Sequence, residues 1–212
     1  MIYRDNLSNY IKDVISNNSF DKRLTTQFFL NEKENFDTIN TVEDVARDND
    51  INFVKGLYHR YPGKVLIFPT ENCLGSCRFC FRKNIISDNT QNLSISDFDI
   101  IEDYIKNHEI KEVIFSGGDP FAINIVELLA MINRIKSIKS VKVIRIHTRV
   151  LTYNPELITD DFIDGIKNNI PVFMVFHINS HLELTSLAKK KVELLSNNGI
   201  LCFSQTDRKN VV

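Results

Sequence analysis

The sequence predicts an α/β fold. About five βα units should form a parallel sheet that curls into a full or partial barrel, behind an N-terminal helical segment. Three observations carry this. Short β-branched or aromatic runs recur as buried strands at 65–68, 113–115, 141–146, 172–176 and 201–203. Stretches with apolar residues at helical spacing lie between them. The strand starts at 113, 141, 172 and 200 are 28, 31 and 28 residues apart, the length of a βα unit. Repeated βα units give a parallel sheet, and parallel barrels carry their chemistry on the loops after the strand C-termini.

Taken in order, residues 1–58 read as a helical segment and 59–212 as the core. "NYIKDVIS" and "TVEDVARDND" have helical patterns, the second with Thr41 and Asp44 set as a capping box. Neither carries evident chemistry, so both read as packing helices. The first core strand runs into a loop that holds Cys73, Cys77 and Cys80. Phe98, Ile101 and Ile105 then form a stripe after Ser96, read as an N-cap with Asp97 and Asp99 in the first turn. "SGGDP" (116–120) follows the second strand. Ile125, Leu128, Leu129, Ile132 and Ile135 share one helical face. "HTR" (147–149) ends the third strand and "FHIN" (176–179) the fourth. A second helical stripe comprises Leu184, Leu187, Ala188, Val192 and Leu195, stopped by Asn197-Asn198-Gly199. Ser204 and Gln205 end the fifth strand. Each polar cluster falls on one rim.

Composition excludes several classes. The 212 residues carry a net charge of −1, with no basic run to mark a nucleic-acid face. No apolar stretch approaches the roughly 20 residues of a membrane span, and the start is too polar for a secretory signal. A soluble cytoplasmic protein is the expectation. Three of the four cysteines sit in one loop, which in a reducing compartment points to metal binding or catalysis over disulfides.

The spacing C-x3-C-x2-C constrains the metal. Structural zinc sites pair C-x-x-C units to reach four ligands, and here the remaining Cys202 lies far along the chain. A [4Fe–4S] cluster held by three thiolates keeps one iron open to a substrate or cofactor. Cys73, Cys77 and Cys80 therefore read as cluster ligands, with zinc and a coincidental cysteine loop as the alternatives.

With Phe79 before the last cysteine, the loop resembles that of the radical S-adenosylmethionine enzymes. "HRYPGKVLIFPTENCLGSCRFCFRK", "EVIFSGGDP", "IRIHTRV", "NPELIT", "FHIN", "ELT" and "GILCFSQ" resemble the lysine 2,3-aminomutase family, in the same order and over roughly residues 57–205. That family also includes glutamate and arginine mutases, and an enzyme acting on a lysine of an elongation factor.

The resemblance implies a partial (β/α) barrel of the radical S-adenosylmethionine type. It implies a [4Fe–4S] cluster on Cys73, Cys77 and Cys80, and a 5′-deoxyadenosyl radical that drives 2,3-migration of an amino group on an amino acid or a peptidyl lysine. Phe79, Ser116, Gly117, Gly118, Asp119, His177 and Gln205 would contact S-adenosylmethionine. The two glycines would let backbone approach it, and Ser116 and Asp119 would accept from its ammonium. Arg60, Tyr61 and Lys64 match the positions that hold the phosphate of pyridoxal 5′-phosphate, Lys64 standing where the family has a second arginine. Arg82 matches the group that binds the substrate carboxylate, with Phe81 replacing a small polar residue beside it. Arg145, His147 and Arg149 read as solvated or packing groups of the rim, and Lys189–Lys191 as a solvated helix face.

The lysine that anchors pyridoxal phosphate lies beyond the Gln205 position in the family, and no lysine of this sequence matches it. The expectation is a barrel incomplete on its C-terminal side, with strand 201–203 at an open edge that allows self-association. The implied partners are the amino-acid substrate and an electron donor such as flavodoxin or ferredoxin. Two other readings stay open: a radical enzyme without pyridoxal phosphate, and an iron–sulfur protein inactive without a partner chain.

Overall fold

The structure, a computed structural model, describes residues 7–29, 47–82, 92–167 and 170–206. A seven-stranded sheet runs in the order β1 to β7. Strands β1 (Asn52–Val54), β2 (Leu57–Tyr61) and β3 (Lys64–Ile67) form antiparallel pairs. From β3 the sheet is parallel through β4 (Glu112–Phe115), β5 (Val143–Thr148), β6 (Val172–His177) and β7 (Cys202–Gln205). The five parallel strands are the five read from the sequence. They form an open sheet, as a partial barrel of the expected type requires. Strands β1 and β2 lie across residue 58, so the sheet reaches into the segment read as helical.

Periodicity explains which face is covered. Ile67, Phe115, Ile146 and Met174 are matched in register and almost wholly buried on the outer face, beneath the helices. Leu66, Ile114 and Arg145 alternate with them, on the inner face. The covering helices are α3 (Ile95–Asn107), α4 (Ile125–Lys136), α5 (Val150–Tyr153), α6 (Asp160–Ile166) and α7 (Ser186–Asn197). Their buried stripes include Phe98, Ile101 and Ile105 in α3, Leu128, Ile132 and Ile135 in α4, and Ala188 and Leu195 in α7. Gly199, at φ +77°, follows the last of these helices, as read. The cap of helix α3 is Ser94, two residues before the expected Ser96. Ser94 Oγ accepts from Asp97 N while Asp97 accepts from Ser94 N, a reciprocal capping box that fixes the helix start there.

Helices α1 (Asn9–Asn17) and α2 (Lys22–Phe28) form a second small core. Leu7, Ile11, Val14, Ile15, Leu24 and Phe28 close around Tyr153, and Leu74 and Cys77 of the cysteine loop pack against it. The capping box read at Thr41 and Asp44 lies outside the described residues. Among the described residues, no helix is long and apolar enough to cross a membrane.

Candidate functional site

The strand C-termini open onto a cavity of about 710 Å³. Cys73, Cys77, Phe79, Cys80 and Arg82 line it from the loop after β3. Ser116, Gly117, Gly118 and Asp119 come from the loop after β4, His147, Thr148 and Arg149 from the end of β5, and His177 and Gln205 from β6 and β7. The rim read from the strand pattern is thus one surface. His177 and Gln205, 28 residues apart in the sequence, are register partners.

The cysteine loop is held from both sides. Gly118 and Asp119 donate their backbone N–H groups to Thr70 O at 3.1 Å and Asn72 O at 2.8 Å. A Cβ on Gly118 would sit 1.9 Å from Asn72 O, so only glycine lets these two backbones approach so closely. From the N-terminal helices, Thr26 O accepts from Arg78 Nη1 and Gln27 O from Arg78 N, each at 2.8 Å.

Asp119 was read as an acceptor for a ligand ammonium. The structure places it almost wholly buried, accepting from Phe121 N, from Thr148 Oγ1 and from Arg149 N. Its carboxylate ties the β4 and β5 loops together beside the cavity. Burial pushes it above the usual carboxylate range, and these hydrogen bonds oppose the rise. Phe79 lies between the His177 ring, at 5.0 Å, and the Arg149 guanidinium, at 5.1 Å.

Of the two readings of Arg149, solvated or packing the rim, the structure rules out the solvated one. Its guanidinium is buried; Nη1 donates to Cys77 Sγ at 3.0 Å, and Nη2 to Gln27 Oε1 at 2.8 Å and Glu183 Oε2 at 2.7 Å. Glu183, buried in the turn after β6, accepts five hydrogen bonds, from Gln27, Arg149, Thr152, Asn179 N and Ser180 N. Burial alone would raise its carboxyl, but Arg149, Thr152 and Gln27 hold it below the ordinary range. Burial likewise opposes the charge on Arg149, yet the proximity of Cys77 and Glu183 holds it firmly protonated. Neither Glu183 nor Gln27 was singled out in the sequence. The available signals were a carboxylate between Leu182 and Leu184 and an amide before Phe28-Phe29.

Other assigned residues lie apart. Arg60 and Lys64 do not line the cavity, and Tyr61 is 62% exposed on the β2–β3 hairpin. Buried acids that the sequence reading passed over accompany these cations. Asp48 lies 2.7 Å from Arg82 Nε and 4.0 Å from Arg60, and Glu112 lies 3.1 Å from Lys64 and 2.5 Å from Arg145. His147 faces the cavity, and burial pushes its imidazole below the ordinary value.

The three loop cysteines are free thiols on one cavity, the donor set that a cluster would need. Burial pushes the Cys73 thiol well up, with Asp119 and the other two sulfurs adding to it, so metal must displace its proton. Among the described residues, no three His, Cys, Asp or Glu side chains are drawn together as ligands of one ion. A cluster asks less of the thiols than zinc, since each sulfur binds its own iron. Cys202 is on β7 and does not line the cavity.

A parallel sheet with three loop thiols at its C-terminal rim defines a class of iron–sulfur proteins. The Radical SAM superfamily profile matches residues 67–193, and the chain belongs to that superfamily. Membership implies a [4Fe–4S] cluster and S-adenosylmethionine. The chain is 37% identical over 174 residues to the L-lysine 2,3-aminomutase of Methanococcus maripaludis, covering 82% of this chain and 39% of the relative. It is 35% identical over 165 residues to that of Acetoanaerobium sticklandii, covering 77% and 40%. It is 32% identical over 160 residues to that of Bacillus subtilis, covering 75% and 34%. The chain spans about two fifths of the length of the curated relatives it matches.

Proposed function

We propose that this chain is the core of a radical enzyme of the aminomutase type, acting on an amino acid or a peptidyl lysine and catalysing 2,3-migration of its amino group. The observation that carries this is the meeting of Cys73, Cys77, Cys80, Phe79, the Gly117–Gly118 backbone, His177 and Gln205 around one cavity. The names of the relatives supply the reaction class.

When bound, a cluster with one open iron and S-adenosylmethionine supply the electron and the 5′-deoxyadenosyl radical. The chain's own residues hold and shield them. Cys73, Cys77 and Cys80 ligate the cluster. Gly117 and Gly118 present backbone to the cofactor, while their missing Cβ atoms leave room for Phe68 and Asn72 behind them. Ser116, Phe79, His177 and Gln205 form its remaining walls, where excluding water protects a reactive intermediate. Arg82 binds a substrate carboxylate; Asp48 fixes its Nε, and the rings of Phe81 and Phe68 lie 4.5 and 5.0 Å from its guanidinium. A flavodoxin- or ferredoxin-like donor delivers the electron.

Pyridoxal phosphate fits these residues poorly. Arg60, Tyr61 and Lys64 lie off the cavity, Lys64 is paired with Glu112, and no lysine among the described residues lines the cavity. That observation favours a second reading, a radical enzyme that abstracts hydrogen without pyridoxal phosphate.

Anaerobically reconstituted wild type should convert S-adenosylmethionine to 5′-deoxyadenosine, and Cys77→Ala should not. Equal turnover by both proteins would refute the assignment. A pyridoxal absorbance band that borohydride treatment abolishes would decide for the first reading over the second.

A further inference from the structure

Arg149 is a full positive charge held against a sulfur that the proposed function assigns to the cluster, and that function gives it no role. Its placement is over-determined. Backbone N is fixed by Asp119, Nη2 by Gln27 and Glu183, and the guanidinium lies 5.3 Å from the Phe28 ring centroid and 5.6 Å from that of Tyr153. Tyr153 Oη lies 3.3 Å from the same Cys77 sulfur and donates to Ser76 O at 2.9 Å. Glu183 is bonded through Nη2 and the Cys77 sulfur through Nη1, so the one guanidinium joins the carboxylate to the sulfur.

We infer that Arg149 is a positioning residue that fixes the Cys77 sulfur and sets the cluster's reduction potential, with Glu183 as the counter-charge that tempers it. This rests on the cluster reading of the three cysteines. The physics is direct. A positive charge and an N–H donor at a ligand sulfur stabilise the more negative, reduced cluster and raise its potential. A carboxylate paired with that charge offsets part of the effect. The N-terminal helices share in this setting, because Gln27 of α2 bonds both charged partners.

The two charges predict shifts of opposite sign. Glu183→Gln keeps the shape and the three bonds that Oε1 accepts, loses those that Oε2 accepts from Arg149 and Thr152, and removes the negative charge, so the midpoint potential should rise. Arg149→Met alone would leave a buried carboxylate unpaired. The double variant Arg149→Met/Glu183→Gln removes both charges together and should stay folded; its midpoint should fall, because the lost guanidinium is the nearer group. About a tenfold change in the reduction equilibrium constant is expected in each direction, roughly 59 mV for a one-electron couple.

The test is a dithionite titration with redox mediators, followed by electron paramagnetic resonance, on anaerobically reconstituted wild type and both variants. Iron and sulfide are counted first, and thermal melting confirms folding. Opposite shifts at equal iron content support the inference, since a purely structural role would not move the midpoint in two directions. Equal midpoints in all three proteins, or shifts of the same sign, overturn it while leaving the cluster assignment intact. A wild type that assembles no cluster overturns the underlying reading, and the inference with it.

Discussion

Gly118→Ala should disable the cysteine loop without touching a thiol. The added Cβ would meet three backbone atoms: Asn72 O at 1.9 Å, Asn72 C at 2.6 Å and Glu71 C at 2.8 Å. No rotamer change relieves a backbone clash. Reaching an ordinary contact of 3.4 Å from 1.9 Å requires the strands of loop to part by about 1.5 Å. That movement breaks the Gly118 N to Thr70 O and Asp119 N to Asn72 O bonds, now 3.1 and 2.8 Å. Two hydrogen bonds at about 1 kcal/mol each, with about 1–3 kcal/mol of overpacking, give a loss of about 3–5 kcal/mol. For a chain of this size that lowers the melting temperature by on the order of 10 °C. Asn72 is bonded to Cys73, so the thiol moves with it, whereas metal sites tolerate only about 0.2 Å. Thermal melting of the metal-free protein and iron content after reconstitution are the two assays. Gly199→Ala serves as control: a Cβ there meets nothing within 4 Å, although φ is +77°, so only about 1 kcal/mol of backbone strain is expected and no iron is lost. A Gly118→Ala protein that melts with the wild type and takes up full iron would refute the close-approach reasoning.

Glu183→Ala removes the acceptor for five donors and leaves the Arg149 charge buried and unpaired. Urea denaturation should register a loss of about 3–5 kcal/mol, and a loss under 1 kcal/mol would deny the network its structural weight. The Lys55 ammonium, with the Ser94 N–H, lowers the Asp97 carboxyl from 3.8 to about 2. Because the folded value is the depressed one, the stabilisation is present above pH 3.8 and fades as pH falls toward 2. Denaturation midpoints of wild type and Asp97→Asn should therefore differ at pH 6 and converge toward pH 2.5; a gap that widens with acid would contradict this.

Local pattern determined much of this protein. Apolar runs repeated about every 28 residues specify buried parallel strands, because a strand covered on its outer face must be apolar at alternate positions and a βα unit needs that length. The spacing of Cys73, Cys77 and Cys80 and the 28 residues from His177 to Gln205 are likewise properties of short segments, and the strand ends carried them to one rim. Tertiary structure alone decided how the charges pair. Gln27 meets Glu183 across 156 positions and Arg149 across 122, and no periodicity records such a meeting. Asp119 lines the cavity, yet its oxygens accept from Thr148 and the Arg149 N–H of the next strand end, partners that no local pattern announces. Arg60 and Lys64 could have awaited a phosphate, but Asp48 and Glu112 stand beside them. Burying a charge is tolerable only beside its counter-charge, and which one arrives depends on the whole chain's path.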